Sequence, residues 1–198
     1  KTAAIAILAD IAARDIERVH VVGHSMGGAV ASLMAMLDPG RIGSLTLLAP
    51  GGYGPEINHR LLVRWAAASD ETDIRFCLEA MFGWNAPVPE DVVAAIVAER
   101  ALPGRVEMLS RIAEGLARDG KQGQLPLDRL AGLAVPVSVA WGALDTVLPA
   151  RQLLNLPPRF AVHRFADLGH MLPEEAPSEM AAIVRRTIAA AAGSDSGA

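Results

Sequence analysis

A chain of 198 residues, 52% apolar and 20% charged, has the size and composition of one globular domain with a sizeable core. Its net charge of −4 and its dispersed basic residues give no footprint for nucleic acid, and no apolar run reaches the length of a membrane span. Cys77 is the sole cysteine, which excludes an internal disulfide and suits a reducing cytoplasm.

The opening KTAAIAILADIAARD starts with a lysine and apolar residues, as a signal peptide does, but Asp10 interrupts it and no cleavage pattern follows. It reads as a helix with Ile5, Leu8, Ala12 and Ile16 on its buried face. Val19 to Val22 reads as a short strand, and Ser25 to Leu37 as a helix stopped by Asp38-Pro39-Gly40. A second strand follows from Ile42 to Ala49, whose run LTLLA fits a strand buried on both faces. From Pro50 the character changes. Gly51, Gly52, Gly54 and Pro55 open a segment that reads as helices at about 57–68, 73–82, 90–101 and 104–118, with no strand among them. Strand character returns at VPVSVAWG, 135–142, and FAVHRF, 160–165. A last helix begins near Pro177 with Met180, Ile183, Val184 and Ile188 as its buried stripe, and GSDSGA reads as a disordered tail. The organisation expected is a core part over 1–50, a helical cap over 51–130, a second core part over 131–192 and a tail over 193–198. The fold class is α/β, a mostly parallel sheet with helices on both faces.

Parallel sheets place their chemistry beyond the carboxyl ends of the strands. Ser25 follows the first strand, Asp145 the third and His170 the fourth, so the three should converge on one edge. The types belong together. A serine hydroxyl reacts only once a base takes its proton, histidine is such a base near neutral pH, and an ionised aspartate fixes the histidine tautomer. The turn around Ser25 calls for glycine-sized neighbours, here Gly23 and Gly27, and the Met26 amide at the following helix N-terminus is an oxyanion-hole donor. Asp167 stands only three residues from His170, too near to reach the far side of the ring. His20 and His163 lie within strands, His24 reads as a wall of the turn, and His59 as a solvent-facing residue of the cap. Trp65, Phe82 and Trp84 are the substrate-binding candidates among the cap's apolar side chains, the others being Phe76, Met81 and Met108. No ligand-spaced Cys/His cluster and no P-loop lysine occurs, so neither a metal nor another cofactor is expected.

GHSMG between a strand and a helix resembles the nucleophile elbow of the α/β-hydrolase family. The Asp after one late strand and the Gly-His after the next match the family's other triad positions. The likeness covers nearly all of the chain, the helical block standing where the family has its cap. GGYGPEIN, 51–58, further resembles the hydrolase-like acyltransferase component of acetoin dehydrogenase systems. The resemblance implies an esterase-like serine hydrolase acting on a small-molecule acyl substrate, and the serine argues against the aspartate-nucleophile chemistry of dehalogenases and epoxide hydrolases. The alternatives are acyl transfer to a dihydrolipoamide-type thiol carrier and a non-catalytic truncated fragment.

The family's sheet has strands before the nucleophile strand, and here there is room for none. Those strands with their connections amount to on the order of 70 residues. The expectation is therefore an α/β-hydrolase fold lacking its N-terminal strands, as part of a longer polypeptide or completed by another chain. No His-Gly pair precedes Ser25 to supply a second oxyanion donor, and loss of one such donor costs about 10²–10³ in rate. The first strand should be an open apolar edge, prone to self-association or to contact with a missing N-terminal segment.

Overall fold

The computed structural model describes residues 1–84 and 87–195. It begins with helix α1 (Thr2–Ala13), strand β1 (Val19–His24), helix α2 (Met26–Leu37) and strand β2 (Ile42–Leu48), a 3₁₀ turn over Pro39–Arg41 ending the second helix as the Asp-Pro-Gly signal requires. Every residue of β2 is buried. α2 and α9 (Pro177–Asp195) both pack on it, which explains its unbroken apolar run.

The block after β2 holds α3 (His59–Ala67), α4 (Glu71–Met81), α5 (Glu90–Arg100) and α6 (Arg105–Leu116). Asn58 caps the first by accepting from the Leu61 amide, and Asp70 caps the second by accepting from the Asp73 amide. Ala68, Ile74, Leu78, Phe82 and Val93 form a small core of its own within this block. The expectation of no strand there needs correcting. Residues 117–118 form a two-residue strand, β3, paired antiparallel with β4 at 121–122. Asp119 and Gly120 both take positive φ, 52° and 72°, the turn geometry that an Asp-Gly pair favours. After a short α7 (Leu127–Ala131) come β5 (Val137–Gly142), a 3₁₀ turn over Ala150–Asn155, β6 (Ala161–Phe165), α8 (Leu172–Glu175) and α9.

The main sheet has the order β1-β2-β5-β6 with every pair parallel. Its core gathers Ile42, Leu45 and Leu47 of β2, Val139 and Trp141 of β5, Met34 of α2, and Met180 and Ile183 of α9. Among the described residues β1 pairs only with β2, and Val22 on it is 46% exposed.

Three finer expectations change. On α1 the inward stripe is Ala4, Leu8 and Ile11, while Ile5, Ala12 and, beyond the helix, Ile16 face outward. α1 rests on α2, and one supporting helix covers only a narrow face. On α9 the most buried positions are Met180, Ile183, Thr187 and Ala191, with Val184 and Ile188 partly buried. Thr187 fits inside because its hydroxyl donates to Ser138 Oγ of β5 at 2.7 Å. The helix also continues to Asp195, so residues 193–195 of the expected tail are helical, carried on by the strong helix former Ala189–Ala192. Residues 196–198 lie outside the described residues.

Candidate active site

β1 turns into α2 through Ser25, whose backbone takes φ 53° and ψ −121°, a region a side chain rarely visits. The turn is pinned to the end of β2: the Ser25 amide donates to Leu48 at 2.9 Å, and the Gly51 amide donates to the Ser25 carbonyl at 2.9 Å. Gly23 fits the expectation, because a Cβ there would stand 2.4 Å from the Gly27 carbonyl oxygen. Gly27 does not; a Cβ there meets nothing within 4 Å. The second tight position is Gly28, where a Cβ would lie 2.6 Å from Cβ of Pro50. The glycine is needed where the helix approaches the chain leaving β2.

Asp145, beyond β5, is held by its neighbours. Its Oδ1 accepts from the amides of Val147 and Leu148, both at 2.8 Å, and its Oδ2 accepts from Trp141 Nε1 at 3.1 Å. The side chain is fully buried, and four donors, the last being His170, satisfy it. His170 Nδ1 donates to Asp145 Oδ2 at 2.8 Å. A carboxylate that only accepts fixes the proton on Nδ1, which leaves Nε2 free to accept from the Ser25 hydroxyl at 2.9 Å. The three residues from three strand ends thus form one hydrogen-bonded line. Asp167 takes no part in it.

Glu175, which the sequence did not single out, and His24, read there as a wall of the turn, hold the histidine loop. Glu175 of α8 accepts from the amides of Gly169 and Met171, both at 3.0 Å to Oε1, and from Gly83 at 2.6 Å to Oε2. His24 donates from Nε2 to the His170 carbonyl oxygen at 2.7 Å. Burial, and then the nearby His170, push the His24 pKa down from 6.5 to about 4, so it stays neutral beside the site.

A cavity of about 420 Å³ opens beside Ser25, within the size range of small-molecule sites. Met26, Ala29 and Leu33 of α2 form one wall, Ile57 and Leu62 another, and Gln122 to Pro126 close it. The expected aromatics are not among its walls. Phe82 is buried in the core of the helical block, Trp65 stacks under the Arg100 guanidinium at 4.8 Å, and Trp84 is 86% exposed. Composition marks aromatic side chains as apolar mass but does not say which face of the block they serve. His59, expected at the solvent, is partly buried, its Nε2 donating to the Ala113 carbonyl and joining α3 to α6.

The family model described as "Alpha/beta hydrolase family" matches residues 2–183. The chain belongs to the alpha/beta hydrolase family. This α/β-hydrolase is 33% identical, over 171 residues, to the dihydrolipoyllysine-residue acetyltransferase component of the acetoin cleaving system of Cupriavidus necator, covering 86% of this chain and 46% of that protein. It is 28% identical over 166 residues to a 2-hydroxy-6-oxononadienedioate/2-hydroxy-6-oxononatrienedioate hydrolase of Cupriavidus pinatubonensis, covering 79% of this chain and 57% of the relative. It thus spans about half the length of these curated relatives. Among solved structures, the meta-cleavage product hydrolase of Pseudomonas fluorescens superposes with a TM-score of 0.77 at 20% identity, covering 90% of this chain and 68% of that one. A 2-hydroxy-6-oxo-6-phenylhexa-2,4-dienoate hydrolase from a Rhodococcus species gives 0.76 at 22% identity, covering 93% and 68%. These structural likenesses establish the fold.

Proposed function

We propose that this α/β-hydrolase is a serine hydrolase that cleaves an ester or related acyl bond of a small apolar substrate. The observation that carries the reading is the unbroken hydrogen-bond line from the buried Asp145 carboxylate through His170 to the Ser25 hydroxyl, at the mouth of an apolar cavity. His170 Nε2 takes the hydroxyl proton as Ser25 Oγ attacks the carbonyl carbon. Asp145 holds the ring and stabilises the imidazolium. The Met26 amide begins α2, and first-turn amides lack intrahelical acceptors, so it donates to the developing oxyanion. His170 then protonates the leaving group, activates a water against the acyl-enzyme, and returns the proton to Ser25.

Turnover of p-nitrophenyl butyrate tests this. Ser25→Ala and His170→Ala should each lower kcat/KM by about 10³ or more, and Asp145→Asn by a comparable factor, since it permits the wrong tautomer. Hydrolysis that survives Ser25→Ala at near-normal rate would refute the assignment.

The 33% identity to a dihydrolipoyllysine-residue acetyltransferase component favours a second reading, acyl transfer to a thiol. The acyl-enzyme is common to both, and the second reading differs in the acceptor. Addition of dihydrolipoamide should then divert the acyl group from water to sulfur. A non-catalytic role is the third reading, and the complete triad opposes it. Cys77 is buried and free of any disulfide, which suits a reducing cytoplasm.

A further inference from the structure

The cavity beside Ser25 shares part of its lining with a neighbouring void. A second void of about 640 Å³ lies along the β3–β4 hairpin, and Gly115, Leu116, Gln122 and Gly123 line both. Two of these four are glycines that are exposed, and a Cβ at either would meet nothing within 4 Å. Neither has positive φ, so neither needs to be glycine for its backbone. Gly115 stands one residue before the end of α6, and Gly123 follows β4. The space a side chain would fill there is left open, at residues that line both voids.

The hairpin that borders this opening is held firmly. Gln122 Oε1 accepts from the Gly52 amide at 3.0 Å, and its Nε2 donates to the Gly54 carbonyl at 2.9 Å and the Glu56 carbonyl at 3.2 Å. Its own amide donates to Pro55 at 2.9 Å. These bonds tie the β4 side of the hairpin to the loop after β2. Among the described residues the inner lining includes no Asp, Glu, Lys or Arg; the outer one has Glu114, Arg118, Asp119 and Lys121. A charge held in the inner part would have no partner, which is costly.

We infer that Gly115 and Gly123 are specificity-determining positions that leave the acyl cavity open-ended, so that the favoured substrate is an uncharged ester with an extended apolar chain running from Ser25 past the hairpin. The inference rests on the proposed reaction for the placement of the ester at Ser25, and it adds the length and charge of the group the cavity takes.

Binding to the inactive Ser25→Ala protein isolates the cavity from the chemistry. Calorimetry with p-nitrophenyl decanoate and p-nitrophenyl butyrate gives the ratio of long-chain to short-chain affinity. Adding Gly123→Leu should lower that ratio at least tenfold, and Gly115→Leu, from the helix side of the opening, should do the same; either suffices if the other variant does not fold. A ratio that stays within twofold in a folded variant overturns the inference, even where the parent protein hydrolyses esters normally. A collapsed ratio supports it even if the parent with Ser25 turns over no ester, in which case the triad reading alone falls.

Discussion

His24 precedes the proposed nucleophile and carries its own consequence. Its Nε2–H donates to the His170 carbonyl, and the two rings lie 5.0 Å apart. Burial holds its pKa near 4 against 6.5 for an ordinary histidine. Between those values the unfolded chain binds a proton that the folded chain refuses, so stability rises with pH across this window and is lost as pH falls through it. The contribution is fully present above about pH 6.5. Each pH unit within the window is worth up to about 1.4 kcal/mol. Urea unfolding of wild type and His24→Gln at pH 7.5, 5.5 and 4.5 should show the wild type losing about 1–2 kcal/mol more than the variant on acidification. Parallel pH profiles would contradict the buried neutral histidine. At this scale the meeting of Ser25, Asp145 and His170 was legible because each is anchored to a strand end. Trp141, Glu175 and Gln122 were not, since their partners are set by tertiary contact: Glu175 reaches back to Gly83, and Gln122 to Gly52. The aromatics misled for the same reason.

Among the elements, the elbow shows how close approach rather than turn geometry selects glycine. Gly28→Ala would put a Cβ 2.6 Å from the Pro50 side chain, forcing α2 off the end of β2 at about 1–3 kcal/mol. Gly27→Ala meets open space and should be neutral or stabilising by about 0.5 kcal/mol. Thermal unfolding separates them: a clear drop in Tm for Gly28→Ala and none for Gly27→Ala. Equal drops would mean that α2 does not seat as described. Strands and long helices were legible from their periods and stop signals. The β3–β4 hairpin was missed although Asp119-Gly120 carries its turn signal, because two-residue strands leave no alternation to read. The face of α1 was misjudged because apolar residues occur all round it, and only the packing on α2 chooses among them.

For the whole molecule, the alternation of strands and helices predicts a parallel sheet, and the order β1-β2-β5-β6 puts Ser25, Asp145 and His170 on one edge. The helical block contributes more than cover: the His170 amide donates to Met81 at the end of α4 at 2.7 Å, so the block and the histidine loop are one construction. How the block encloses the cavity depends on the hairpin and on the loop that Gln122 clamps, and these are long-range contacts that no local pattern encodes. Among the described residues β1 pairs with β2 alone, and Val22 on it is exposed. The central claim is that this assembly activates one serine. Intact mass before and after exposure to a small fluorophosphonate measures that directly, with Ser25→Ala as control. The account predicts a single adduct on the chain and none on the variant; a chain that takes no adduct, or a variant that takes the same one, would contradict it.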